Sequence, residues 1–226
     1  MLKMHAANLG LLAFLLATPV FAETAPAPAS QSRVEQVLER TINQQKRVED
    51  GLKAGSLTTS EAAQLEKGAA KIDKMESHAL NDGKLSISEQ MAINHAANKE
   101  SLAIKRLNTN GHVGDPAKSS AQKMAAEVRH DINQEKRIRA GVENGSLTKH
   151  EAGKLQKRQA KAAHAQYLAG RDGHVGKYEH AHARKVQKRA GTKIKHKKHN
   201  SHVRHAVGKP IQHGAIVHEP ILGTKR

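Results

Sequence analysis

The 226-residue chain contains no cysteine. That excludes a disulfide framework, a thiol nucleophile, thiolate metal ligation and a lipid-anchored cysteine. Tryptophan is absent too, and both phenylalanines, Phe14 and Phe21, fall in the first 22 residues. Beyond them, Tyr167 and Tyr178 are the only Phe, Tyr or Trp residues. Without aromatic faces there is little on which bases or sugar rings can stack, so sequence-specific nucleic-acid binding and carbohydrate readout are not expected. The core must be built from Leu, Ile, Val, Met and Ala, which bury little area per residue. No apolar run is long enough to span a bilayer. The chain also lacks a Gly-x-Ser-x-Gly elbow and a phosphate loop, and His150-Glu151 is not followed by a second histidine, position 154 being Lys. The expectation is that the protein is not an enzyme.

What short apolar run there is comes first. Lys3, then Leu9 to Leu16, then Val20-Phe21-Ala22 with small residues at −3 and −1, reads as a secretory signal peptide over residues 1–22. Residues 23–32, with Pro26 and Pro28, read as a disordered leader, and the expected location is periplasmic or secreted.

The rest of the chain repeats itself. Ile42-Asn43-Gln44-Gln45-Lys46-Arg47 returns 90 residues later as Ile132-Asn133-Gln134-Glu135-Lys136-Arg137, and Gly55-Ser56-Leu57-Thr58 returns as Gly145-Ser146-Leu147-Thr148. Within each copy, Gly-x-Leu-(Ser/Thr)-x-x-Glu recurs after 28 residues, at Gly55 and Gly83 and again, degenerately, at Gly145 and Gly173. A glycine that ends one helix, followed by a hydroxyl and a carboxylate three residues apart, describes a helical-hairpin corner with a capping box. Thr58/Glu61, Ser86/Glu89 and Thr148/Glu151 have both partners, while Gly176 leaves Glu179 without a hydroxyl. The same pattern is the second half of an EF-hand loop, with Asp82 and Glu89, or Asp172 and Glu179, as its calcium ligands. Register argues against tight binding: with Gly83 sixth, the first and third positions are His78 and Leu80, and neither offers an oxygen side chain.

Val34, Val37, Leu38, Thr41, Val48 and Leu52 share a helical face that Gln45 interrupts, and Ala62, Leu65, Ala69, Ile72 and Ala79 form a second stripe. Copy two keeps the first stripe as Met124, Val128, Ile132, Ile138 and Val142, but its second stripe decays, Ile72 becoming Ala162 and Ala69 becoming Gln159. The fold expected is all-α: a tandem duplication of a three-helix hairpin array, with copy one over residues 33–110, a linker over 111–120 and copy two over 121–190. A flexible basic tail is expected over 191–226. Each copy is expected to be a marginally stable unit, copy two the weaker. The strings Lys46-Arg47-Val48-Glu49-Asp50-Gly51 to Glu61-Ala62-Ala63-Gln64-Leu65-Glu66-Lys67, and Asp82-Gly83-Lys84-Leu85-Ser86, resemble small exported proteobacterial proteins of unassigned function with degenerate EF-hand-like repeats. That resemblance implies export and a helical fold, and carries over no activity.

Charge is the strongest functional signal. Residues 23–117 hold 12 Lys/Arg against 13 Asp/Glu, whereas residues 118–226 hold 25 against 8. Such asymmetry marks a region that meets a polyanion. The residues expected to carry it are Lys177, Arg184, Lys185, Lys188, Arg189, Lys193, Lys195, Lys197, Lys198 and Arg204. In an exported protein the partner would be lipopolysaccharide, acidic polysaccharide, DNA or polyphosphate, held without sequence readout. A second reading rests on His196, His199, His202 and His205, whose imidazoles suit Zn²⁺, Cu²⁺ or Ni²⁺ in a periplasmic metal-binding or buffering protein. On a helix, however, three-residue spacing rotates about 60° per step, and the neighbouring lysines repel a cation. Weak calcium binding at the hairpin corners is a third reading.

Overall fold

The computed structural model describes residues 29–199, so the expected signal peptide and the chain beyond His199 lie outside the described residues. The described residues form α1 (Ala29–Ala54), α2 (Thr59–Ala79), α3 (Ile87–Asn108), α4 (Ser119–Glu143), α5 (Lys149–Gly170) and α6 (Lys177–Lys198), with no strand among them. The fold is all-α. None of these helices is long and apolar enough to cross a membrane. α2 and α5 begin 90 residues apart, as do α3 and α6, so the sequence repeat is also the structural one.

The corners form as the capping argument requires. Gly55, Gly83, Gly145 and Gly173 all take positive φ, where a Cβ would be strained. Thr58, Ser86 and Thr148 each accept from the amide three residues on, while Glu61, Glu89 and Glu151 reach back to the cap amides. At Gly176 only Glu179 contributes, accepting from the Gly176 amide at 2.9 Å. Leu57 and Leu147 then close the corners from inside, their amides donating to Gly51 and Gly141.

The two copies do not fold side by side as independent units. α1 packs along α4 and α2 along α5. Both pairs are antiparallel: Arg129 meets Glu49 and Arg139 meets Glu39 across the first, while Ser60 donates to Arg171 O and His150 contacts Asn81 O across the second. Glycine lets α2 and α5 approach closely. A Cβ on Gly153 would lie 2.8 Å from the Leu80 Cβ, and one on Gly170 would lie 3.1 Å from the Ala63 Cβ. These contacts are equivalent under the 90-residue offset.

α3 and α6 lie outside this four-helix core and are held in matching ways. Gln44 donates to Ala97 O and Gln134 to Gln187 O; Arg33 donates to Leu85 O and Lys123 to Val175 O.

The core is consequently shared. One apolar cluster joins Val34, Leu38 and Ile72 of copy one to Ile138, Val142 and Leu155 of copy two. A second joins Ile42, Leu52 and Leu65 to Met124, Val128 and Ile132, and a third, smaller one joins Ala69 and Ala70 to Ala163. This interleaving departs from the expected side-by-side arrangement, since each copy's apolar faces are covered by the other. Two boundaries also move. α1 begins at Ala29, inside the expected leader, and α6 runs eight residues past the expected end of copy two at residue 190, because Ile194 is buried in the first cluster. The linker is docked rather than free: Gly114 donates to Gly55 O at 2.7 Å, and Asn110 and His112 both contact the Glu61 carboxylate. Burial opposes ionisation of Glu61, but hydrogen bonds from Thr58, Asn110 and His112 outweigh it and hold the carboxyl at about 2.

Candidate anion-binding face

The duplication provides an internal control for charge, since each position in copy two has a counterpart 90 residues earlier in copy one. α5 carries Lys154, Lys157, Arg158 and Lys161 at i, i+3, i+4 and i+7, so they share one face. Across from them α6 contributes Lys193, His196 and Lys197, and together with Leu155 these line a groove of about 460 Å³. Leu155 supplies its apolar floor, being buried in the core. At the corner end, Lys197 Nζ stands 3.6 Å from the Glu151 carboxylate. The counterparts of Lys154, Arg158, Lys193 and Lys197 in copy one are Gln64, Gly68, Ala103 and Leu107.

The other flank of α6 shows the same divergence. Between α4 and α6 a groove is lined by His130, Arg137, Arg184, Lys185 and Lys188, with no carboxylate. Its copy-one counterpart, between α1 and α3, is lined by Arg40 and Arg47 but also by Glu35 and Glu39, the latter paired with Arg139. Further along α5 and α6, Arg189 joins Arg158, Lys161, His164 and His182. α6 is therefore a ridge with cations along both flanks.

Of the cations expected from sequence, the structure gathers Lys193, Lys197 and Arg189 with α5, and Arg184, Lys185 and Lys188 with α4. Lys177 and Lys195 are exposed and Lys198 is half-buried, all on α6. Arg204 lies outside the described residues. The cations of α5, together with Arg137, were missed, although the spacing of Lys154, Lys157, Arg158 and Lys161 is itself a helical stripe. One acidic contact on this side has both partners shifted by burial. Glu127 lies 3.0 Å from His180, yet burial raises Glu127 to about 7, while burial, Arg184 and Lys123 hold the imidazole below its ordinary value.

The metal candidates are placed differently. His196 lines the α5–α6 groove, His199 contacts Lys195 O through Nδ1 at 2.8 Å, and His202 and His205 lie outside the described residues. Among the described residues no three His, Asp or Glu side chains stand close enough to hold a metal ion. Each calcium candidate turns to its own backbone: Asp82 accepts from Lys84, Asp172 from His174, Glu89 from Ser86 and Glu179 from Gly176. Glu89→Gln is accordingly expected to shift the stability by no more than about 0.5 kcal/mol, because Gln can still cap Ser86. Circular dichroism with and without calcium checks this. A calcium-dependent helicity gain in the wild type that the variant loses would reverse the reading.

No protein-family model matches the chain, and no curated protein or solved structure matches it.

Proposed function

We propose that this is an exported, non-enzymatic binding protein whose copy-two face, built on α5 and α6, grips an anionic polymer of the envelope or its surroundings. The observation that carries the reading is the charge divergence between duplicated grooves. Of the six Lys/Arg in the α5–α6 groove, Lys157 and Lys161 are matched in copy one by Lys67 and Lys71, whereas Lys154, Arg158, Lys193 and Lys197 stand where copy one has no cation. Core packing does not require them, since Lys154, Arg158 and Lys193 are exposed. A cationic groove with an apolar floor and no aromatic residue suits a chain of phosphates, sulfates or carboxylates better than a base-stacking ligand. Its hold would come from counterion release and would not read sequence.

The test is a titration of the full chain with inorganic polyphosphate, lipopolysaccharide and duplex DNA at about 50 and 200 mM salt. Binding that rests on six or more phosphate contacts is expected to weaken by about 10³-fold or more over that interval. Salt-insensitive binding, or none at low salt, would refute the proposal. Replacing His196, His199, His202 and His205 by Gln is expected to leave binding unchanged at neutral pH, where imidazoles carry little charge. Loss of binding in that variant only when Zn²⁺ or Cu²⁺ is present would transfer the function to metal binding by the tail.

A further inference from the structure

The bundle interior also holds buried carboxyls among its apolar clusters. Glu66, Asp73 and Glu76 of α2 and Asp131 and Glu135 of α4 are buried there, none more than 5% exposed. Their partners are amides and a hydroxyl, and the duplication exchanges roles. Gln45 donates to Glu66 at 3.3 Å, while at the equivalent positions Gln156 donates to Glu135 at 2.7 Å. Thr41 donates to Glu76 at 2.9 Å, and at the equivalent positions Gln166 donates to Asp131. Each pair lies within one copy, and the offset swaps the helices: in copy one the acids stand on α2 and the donors on α1, in copy two the acids stand on α4 and the donors on α5.

Among the described residues no cation answers these carboxyls. The groups facing the belt are Thr41 and Gln45 from α1, Glu100 from α3, Glu127 from α4, Gln156, Gln159 and Gln166 from α5 and Gln187 from α6. His180 and Arg184 reach only Glu127, at its edge. Nearby cations are engaged outward, Arg129 with Glu49 and Arg139 with Glu39. Oxygens accumulate as a result: Gln45, Gln156 and Gln166 Oε1, Glu66 and Glu135 Oε1 and Glu76 Oε2 are buried without a donor. A carboxyl that takes up a proton becomes a donor and removes a charge from a site where an unpaired charge is very costly.

We infer that this belt is a proton-operated latch: the bundle closes with the belt carboxyls protonated and loosens when they ionise. Burial drives every one of these groups upward, and neighbouring carboxylates add to it at all but Glu135, where amides of Gln156 and Gln159 oppose it. Glu66 and Glu76 rise to about 8, Glu135 to about 7, and Asp73 and Asp131 well above the ordinary range. Glu100, raised by burial to about 7, adds to the effect. The sign follows from linkage. Folded values above the unfolded ones mean that the stabilisation is complete below the ordinary carboxylate value and is lost as pH rises through about 7 to 8. The closed bundle therefore belongs to acidic surroundings and opens toward alkaline ones, whatever the cationic face binds.

Urea unfolding of the full chain at pH 5, 7 and 9 tests this. The wild-type midpoint is expected to fall at each step, while a variant with Glu66→Gln, Asp73→Asn, Glu76→Gln, Asp131→Asn and Glu135→Gln holds one midpoint between pH 7 and 9. A wild-type midpoint that is flat or rises from pH 5 to 9, or a variant that keeps the wild-type slope, overturns the inference. Should the variant not fold, proton uptake on refolding the wild type at pH 7 in weak buffer decides. More than one proton per chain is expected, and no uptake overturns the inference.

Discussion

Cutting the chain between residues 113 and 114 is expected to unfold both halves. Isolated 29–113 would expose the Val34, Leu38 and Ile72 faces that now meet Ile138, Val142 and Leu155. It would also expose the Ile42, Leu52 and Leu65 faces that meet Met124, Val128 and Ile132. Each such side chain contributes about 1.5–3 kcal/mol when buried, whereas a whole domain is stable by only about 5–15 kcal/mol. Removing six partners costs about 9–18 kcal/mol, which is as large as that margin. Circular dichroism should show each fragment largely without helix at micromolar concentration, and an equimolar mixture should recover the helicity and cooperative melt of the intact chain. A monomeric fragment that keeps both would show the copies to be independent after all. A fragment that regains helix only as a homodimer would agree with the interleaving, because antiparallel pairing of like helices is what the intact bundle already uses.

The second large effect concerns the cationic face. Replacing Lys154, Arg158, Lys193 and Lys197 by Gln is expected to weaken polyphosphate binding roughly 4- to 1,000-fold at low salt. Each exposed charge pair contributes about 0.2–1 kcal/mol, and four act together. The fold should hold, because three of the four are exposed and the fourth, Lys197, is half-buried. A control that removes the same charge from copy one, by changing Lys46, Lys71, Lys99 and Lys105 to Gln, is expected to cost much less. It alters net charge equally but leaves the groove intact, and so separates a built face from bulk attraction.

The all-helical class, the 90-residue duplication and the capping boxes were legible because they rest on local rules: glycine at positive φ, a hydroxyl and carboxylate three apart, and apolar residues at helical spacing. How the copies assemble was not legible. Periodicity marks which face of a helix is buried but does not name what covers it, so Val34 to Leu52 fitted a self-contained hairpin as well as the antiparallel α1–α4 pair. The belt was visible and misread. Gln45 stood out as an interruption in an apolar stripe, and Gln159 as decay of copy two, because a lone sequence cannot show that Gln45 meets Glu66 and that Gln159 lies beside Glu135. The cationic face was half legible. The count of lysines on α6 gave its sign, whereas the α5 partners required knowing that α5 and α6 pack together.

The most direct measurement is the slope of log affinity for inorganic polyphosphate against log salt, taken on the full chain, the α5–α6 variant and the copy-one control. Each phosphate that the protein no longer neutralises should flatten the slope by about 0.7, so the variant is expected to be flatter than the wild type by about 3, with the control running parallel to the wild type. If the variant and the control flatten equally, net charge alone attracts the polymer and the assignment of the α5–α6 face is wrong.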